Sequence, residues 1–270
     1  MKKILVILSI AFCLYSCEDV IDIDLPTGQT RLVIDASFEK YFNEDPITTE
    51  GGVRITTTAP FFDSDVPTVS DAVVFITNLS DDSIILFEES SEPGFYVPST
   101  SFDPVTNTNY ELTVTYSGET YTAIATLTPA VPIDNVIQGD GTLFEGDETE
   151  IIVSFTDQEN RDDFYLFDFD FNLYLPIEDK FFQGESFNFS YFYEDDVIDR
   201  NITVKILGIN EQYFNYFTIL IEQSGQNGDP FQAPPSAIRG NIINNTNPDN
   251  YPLGYFNISE TDRFEITITE

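Results

Sequence analysis

Cys17 is the residue of this chain with the most sharply defined chemistry. It closes Leu14-Tyr15-Ser16-Cys17, behind Lys2, Lys3 and an apolar run over residues 4–14. A run this short cannot span a bilayer as a helix, so it reads as the cleaved core of a secretory leader. Small Ser16 admits signal peptidase II to the bond before Cys17, and the thiol then carries a diacylglycerol. The reading predicts a signal peptide over residues 1–16, an acylated Cys17 (palmitate is a typical chain), and an acidic tether to residue 28. The alternative is an ordinary leader with an incidental cysteine. The order of segments favours acylation, and no cysteine follows Cys17.

Carboxylates are the other candidates. The chain holds 47 Asp and Glu, no His and no Trp, and Cys13 leaves with the leader. Thiol nucleophiles, histidine bases, Ser-His-Asp triads and His- or Cys-based zinc sites are therefore excluded. Asp168 and Asp170 read as one face of a strand with Asn172, with oxygens about 7 Å apart that contribute to a Ca²⁺ site if loops complete it. The solvated face of a sheet is the preferred reading of the same residues. Glu194-Asp195-Asp196 and Asp162-Asp163 read as acidic loops. Glycoside hydrolysis needs two carboxyls about 5–9.5 Å apart, a separation that many acids satisfy by coincidence. No catalytic residue, metal or cofactor is assigned, and the chain is expected not to be an enzyme.

These groups must be carried by something soluble and strongly acidic. Loss of Lys2 and Lys3 with the leader leaves nine basic residues against 47 acidic ones, a formal charge of −38. Such a surface repels nucleic acid and anionic headgroups, so lipid alone must anchor it. The 14 Tyr and 25 Phe are expected to pack in β structure rather than to stack on a ligand.

Periodicity predicts a mainly β protein of two antiparallel β-sandwich domains, the first immunoglobulin-like over 29–130 and the second over 131–270. Strands are read at 31–38, 53–58, 72–77 and 83–87. A hairpin follows over about 110–127, turning at Ser117-Gly118, with Leu112, Val114 and Tyr116 on one face and Tyr121, Ala123, Ala125 and Leu127 on its mate. Thr128-Pro129-Ala130-Val131-Pro132 marks the domain boundary. Beyond it, 151–155, 164–174, 202–206 and 264–268 read as strands. Asn210 caps one helix, about 210–225, whose stripe Tyr213, Phe214, Phe217, Leu220 and Ile221 packs on the second sandwich; partner docking is the lesser alternative. The loop 225–240, rich in Gly and Pro, reads as functional. Its Phe231, Pro234 and Pro235 are the first choice for a partner contact. The polar run 244–250 reads as structural or, alternatively, as a recognition loop.

Several stretches resemble one family. They are the tether Cys17 to Pro26, Arg31-Leu32-Val33-Ile34-Asp35-Ala36, Val73-Val74-Phe75-Ile76-Thr77-Asn78 and Phe181-Phe182-Gln183-Gly184. Further on come Asn210-Glu211-Gln212-Tyr213-Phe214-Asn215-Tyr216, Pro234-Pro235 through Arg239-Gly240-Asn241-Ile242, and Pro252-Leu253-Gly254-Tyr255-Phe256. The chain resembles a Bacteroidota family of outer-membrane lipoproteins of unknown function, with genes often beside TonB-dependent receptors. Glu18 and Asp19 after the lipidated cysteine resemble the surface-export signal of such lipoproteins, and Asp82-Ser83-Ile84 resembles their O-glycosylation acceptor. The resemblance implies an outer-membrane protein, lipid-anchored and facing the exterior, with a TonB-dependent barrel as partner. A binding or accessory role follows. The alternative is a structural, adhesin-like or envelope-assembly protein without a small ligand; a carboxylate hydrolase ranks last. A deep aromatic cleft favours the first, a flat acidic surface the second.

Overall fold

The computed structural model describes residues 28–269 apart from 61, 62, 64, 144, 145, 147, 195 and 225–237. Cys17, Glu18, Asp19, Phe231, Pro234 and Pro235 thus lie outside the described residues. Among the described residues the architecture is mainly β, with a large sheet, a smaller sheet and a single α-helix.

The first strands are β1 (Leu32–Tyr41), β2 (Thr48–Thr57), β3 (Val73–Asn78), β4 (Ile84–Glu89) and β5 (Phe95–Pro98), followed by β6 (Asn109–Tyr116) and β7 (Glu119–Thr128). β1 sends Leu32, Ile34, Ala36 and Phe38 into the core and turns Val33, Asp35, Ser37 and Glu39 outward. Period-2 alternation dictates that division. β6 and β7 form the expected hairpin. Ser117 and Gly118 both have positive φ (51° and 80°), as a two-residue turn matched to strand twist requires. The apolar run at 72–77 is buried on one side only: Val74 and Ile76 point in, while Val73 stays exposed.

The second half adds β8 (Ile133–Gln138), β9 (Thr149–Thr156), β10 (Phe164–Asp168), β11 (Tyr174–Glu178), β12 (Ser186–Tyr193) and β13 (Asn201–Ile209). The helix α1 (Glu211–Ser224), the short β14 (Ile243–Asn244) and the long β15 (Phe256–Thr267) complete it. The large sheet runs β11-β10-β13-β15-β1-β2-β5-β4-β3-β6-β7-β14, and β15 also pairs with β7. That last pairing closes a ring around the first core, which includes Phe38, Ile55, Ile76, Leu112 and Phe256. The separate sheet β12-β9-β8 covers the second core. Phe155 lies at its centre, with ring centroids of Tyr165, Phe167 and Phe182 within 5.7 Å.

Two features depart from the sequence reading. Antiparallel pairing holds except at β15, which runs parallel to both β1 and β7. A strand returning from so far along the chain is freed from the hairpin constraint that makes neighbours antiparallel. Its first half, with Phe256 and Ile258, completes the first core, whereas Phe264, Ile266 and Ile268 belong to the second. The stretch 164–174 is also not one strand. Asp170, Phe171 and Asn172 all have positive φ and fold it into a tight hairpin between β10 and β11. Asp and Asn enter that region more readily than other residues. Asp168 accepts the Asp170 N–H at 2.9 Å, which pins the turn. Asp168 and Asp170 therefore share no flat strand face, and the Ca²⁺ site read from that face has no basis.

Candidate functional site

The helix forms for the reasons anticipated. Asn210 Oδ1 accepts the Tyr213 N–H at 2.8 Å, a side-chain cap for an orphan donor. Its aromatic stripe packs on the outer face of β10 and β11: Phe214 meets Phe164 at 5.1 Å and Phe217 meets Tyr174 at 5.3 Å. Buried Leu166, Leu207, Ile209, Tyr213 and Tyr255 make a third, small core beneath it.

Beside that core the sheet and helix leave a cavity of about 430 Å³. Outward Val33, Asp35, Ser37 and Glu39 of β1 form one wall. Leu166 and Asp168 of β10, Leu207 of β13 and Tyr174 of β11 form another, and Tyr213, Tyr216, Phe217 and Leu220 of α1 overhang it. Gly254 and Tyr255 close the end.

Its three carboxylates differ in company. Glu39 accepts the Tyr41 hydroxyl at 2.6 Å and pairs with Lys205 at 3.0 Å. Asp168 lies 3.8 Å from the same ammonium. Burial raises the Asp168 pKa and Lys205 opposes the rise. Asp35 has no hydrogen bond or ion pair with any described residue. Its cross-strand neighbour Arg54 is committed to Glu92 at 2.8 Å. Asp35 is exposed to water while it lines the cavity. Desolvation raises its pKa, with Arg54 pulling the other way.

The tyrosine hydroxyls are similarly unengaged. Those of Tyr174, Tyr213 and Tyr216 bond to no described residue. Tyr213 is only 8% exposed, and the Tyr255 hydroxyl is buried without a hydrogen-bond partner. Asn210 is near enough to favour the Tyr255 phenolate, yet the hydroxyl makes no hydrogen bond with it. Burial first, then the Asp35 carboxylate, pushes Tyr216 up to about 12. Tyr213 rises well above its ordinary value for the same two reasons. All these groups remain protonated donors at neutral pH.

A second cluster lies below the second core. Asp157, Asp163 and Asp179 are buried, with one oxygen of each lying within 4.8 Å of the others. Such oxygens suit a hard cation in type, but protein donors already occupy them. The Tyr165 hydroxyl reaches Asp157 at 2.6 Å and Asp163 at 2.9 Å. Gly184 N–H donates to Asp157 at 2.8 Å, Asp163 N–H to Asp179 at 2.7 Å, and Arg161 to Asp163 at 2.5 Å. The arrangement is a structural lock. Asp163, read as loop, turns inward, while Asp162 stays exposed.

Burial raises the Asp163 and Asp179 pKa values. Folded protein thus binds protons more tightly than unfolded chain. This contribution is fully present below the ordinary aspartate value and is lost as pH rises through the raised values. Tyr165→Phe should cost about 1–3 kcal/mol at neutral pH by stranding a buried carboxylate. The loss should shrink near pH 4, where protonated carboxyls supply their own donors. Denaturation at both pH values checks this; a pH-independent loss would refute the shared-donor account.

The polar run at 244–250 is held structurally. Glu119 accepts from Asn244, Asn247 and Asn250 at 3.1, 3.3 and 2.7 Å. Arg31 and Arg239 both stack on Tyr251, at 3.5 and 3.4 Å. Glu194 and Asp196 are exposed, as an acidic loop requires, and Ser83 lies at an exposed turn. Asp35 and Glu39 escaped the sequence reading, although the outward half of the β1 alternation carried the signal. Asp157 and Asp179 had no local signal.

Fold and cavity together define a mainly β, acidic protein with an aromatic pocket beneath one helix. The chain belongs to the family described as Domain of unknown function (DUF4249), whose model matches residues 18–265. No curated protein and no solved structure matches it.

Proposed function

We propose that this chain is a surface-exposed outer-membrane lipoprotein that binds ligand as an accessory of a TonB-dependent transporter. The observation that carries the reading is the aromatic cavity of about 430 Å³, with its unengaged carboxylate and hydroxyls. It is of ordinary ligand-site size and rigidly framed by sheet and helix. The lipobox at Cys17, the acidic tether and the family resemblance supply the membrane address and the barrel. We read the role as binding: of the three carboxylates that line the cavity, Glu39 and Asp168 are tied to Lys205.

Confinement to one membrane surface raises the effective concentration of lipoprotein and barrel, so a modest interface holds them. The contact is placed at the loop with Phe231, Pro234 and Pro235, since acidic faces repel acidic barrel loops. Native protein cross-linked mildly in solubilised outer membrane should carry a TonB-dependent barrel. Deleting residues 227–233 should cut barrel recovery at least about tenfold without unfolding the lipoprotein. Native protein that purifies alone at every cross-linker ratio refutes the partnership. The structural or adhesin-like alternative draws its support from exposed Val73, Ile84 and Leu86 on the outer face of β3 and β4.

A further inference from the structure

We infer that the pocket beneath α1 takes an organic cation, an ammonium or guanidinium group on an apolar body, with Asp35 as its counter-ion. The inference rests on the pocket's being the ligand site, and it adds the ligand's chemical class.

Lys205 is one ammonium shared by Glu39 and Asp168, and Arg54 is held by Glu92, so the three carboxylates of the cavity keep a formal excess of negative charge. Asp35 lines the cavity with no hydrogen bond or ion pair to any described residue. A ligand that brings positive charge offsets this excess. An anion would add repulsion, and a neutral ligand would leave the excess in place.

The walls select among cations. Tyr213 is 92% buried by exposure of only 8%, lines the cavity, and has a hydroxyl with no partner among the described residues. Together with Tyr216 it offers hydroxyl oxygens that accept N–H donors, and ring faces that attract a cation. A bare Ca²⁺ ion needs six to eight oxygens, roughly. One free carboxylate and a few phenols do not supply them. Leu166, Leu207 and Phe217 present apolar surface suited to a hydrocarbon body. An ammonium with an apolar substituent therefore finds a counter-ion in Asp35, oxygen acceptors and ring faces in the tyrosines, and apolar wall for its body.

The test compares benzylammonium with its neutral near-isostere benzyl alcohol, by calorimetry on the full-length acylated protein in detergent. Benzylammonium should bind at least about tenfold more tightly, as charge-assisted bonding and cation–π contact add. Asp35→Asn should abolish that preference while leaving benzyl alcohol binding within about twofold, a separation that mere structural damage would not produce. Tyr216→Phe, on the partly exposed side of the helix, should weaken benzylammonium selectively as well. Equal binding of both probes overturns the cation assignment and leaves the pocket as a ligand site. Binding of neither probe overturns both readings.

Discussion

Cys17→Ala is expected to abolish palmitate labelling and to shift nearly all of the protein out of the outer-membrane fraction. Each buried methylene of an acyl chain contributes about 0.8 kcal/mol, so two or three chains hold the protein firmly and their loss leaves nothing comparable. A chain of formal charge −36 gains no attraction from anionic headgroups. No described helix is long and apolar enough to cross a membrane. Without the thiol, signal peptidase II has no modified substrate, so the variant should accumulate uncleaved or mislocalised. Radiolabelled palmitate incorporation and membrane fractionation check this together. A variant that still labels and still fractionates with outer membrane would show that Cys17 is not the anchor.

Gly254→Ala should destabilise the fold by about 3 kcal/mol or more, the upper range for one substitution. Gly254 sits at φ +99°, in a region L side chains avoid. A methyl there would lie 1.9 Å from the Ile34 carbonyl oxygen, which is backbone and cannot rotate away. The flanking residues bind that same strand: Ile34 N–H donates to Leu253 and Ala36 N–H to Tyr255, both at 2.9 Å. Relief of the clash therefore means breaking this ladder, and with it the end wall of the cavity. Gly118→Ala is the control. Its φ is +80°, but nothing lies within 4 Å of the added carbon, so only the conformational cost of about 1 kcal/mol applies. Chemical denaturation of the two variants measures the difference. Equal losses would mean that residues 252–256 do not press on β1.

What the sequence alone determined was local. Helix 211–224 was legible because cap, stripe and period all act within a few residues. The hairpin across Ser117-Gly118 was legible because a two-residue turn and alternating faces leave one register. Absence of histidine and tryptophan bounded the chemistry without any fold. Local pattern also misled: alternation over 164–174 continued through three left-handed residues, since side-chain hydropathy carries no record of φ. Tertiary structure decided the rest. β15 lies parallel to β1 and β7 because both cores need its two halves, a demand spread over more than two hundred residues. Asp163 joins Asp157 and Asp179 only once β9, β10 and the turn at Asp179–Phe181 converge. The pocket is of the same kind. Asp35 and Tyr213 are far apart in sequence, and one face of β1 meets one face of α1 only after the whole sheet has closed between them.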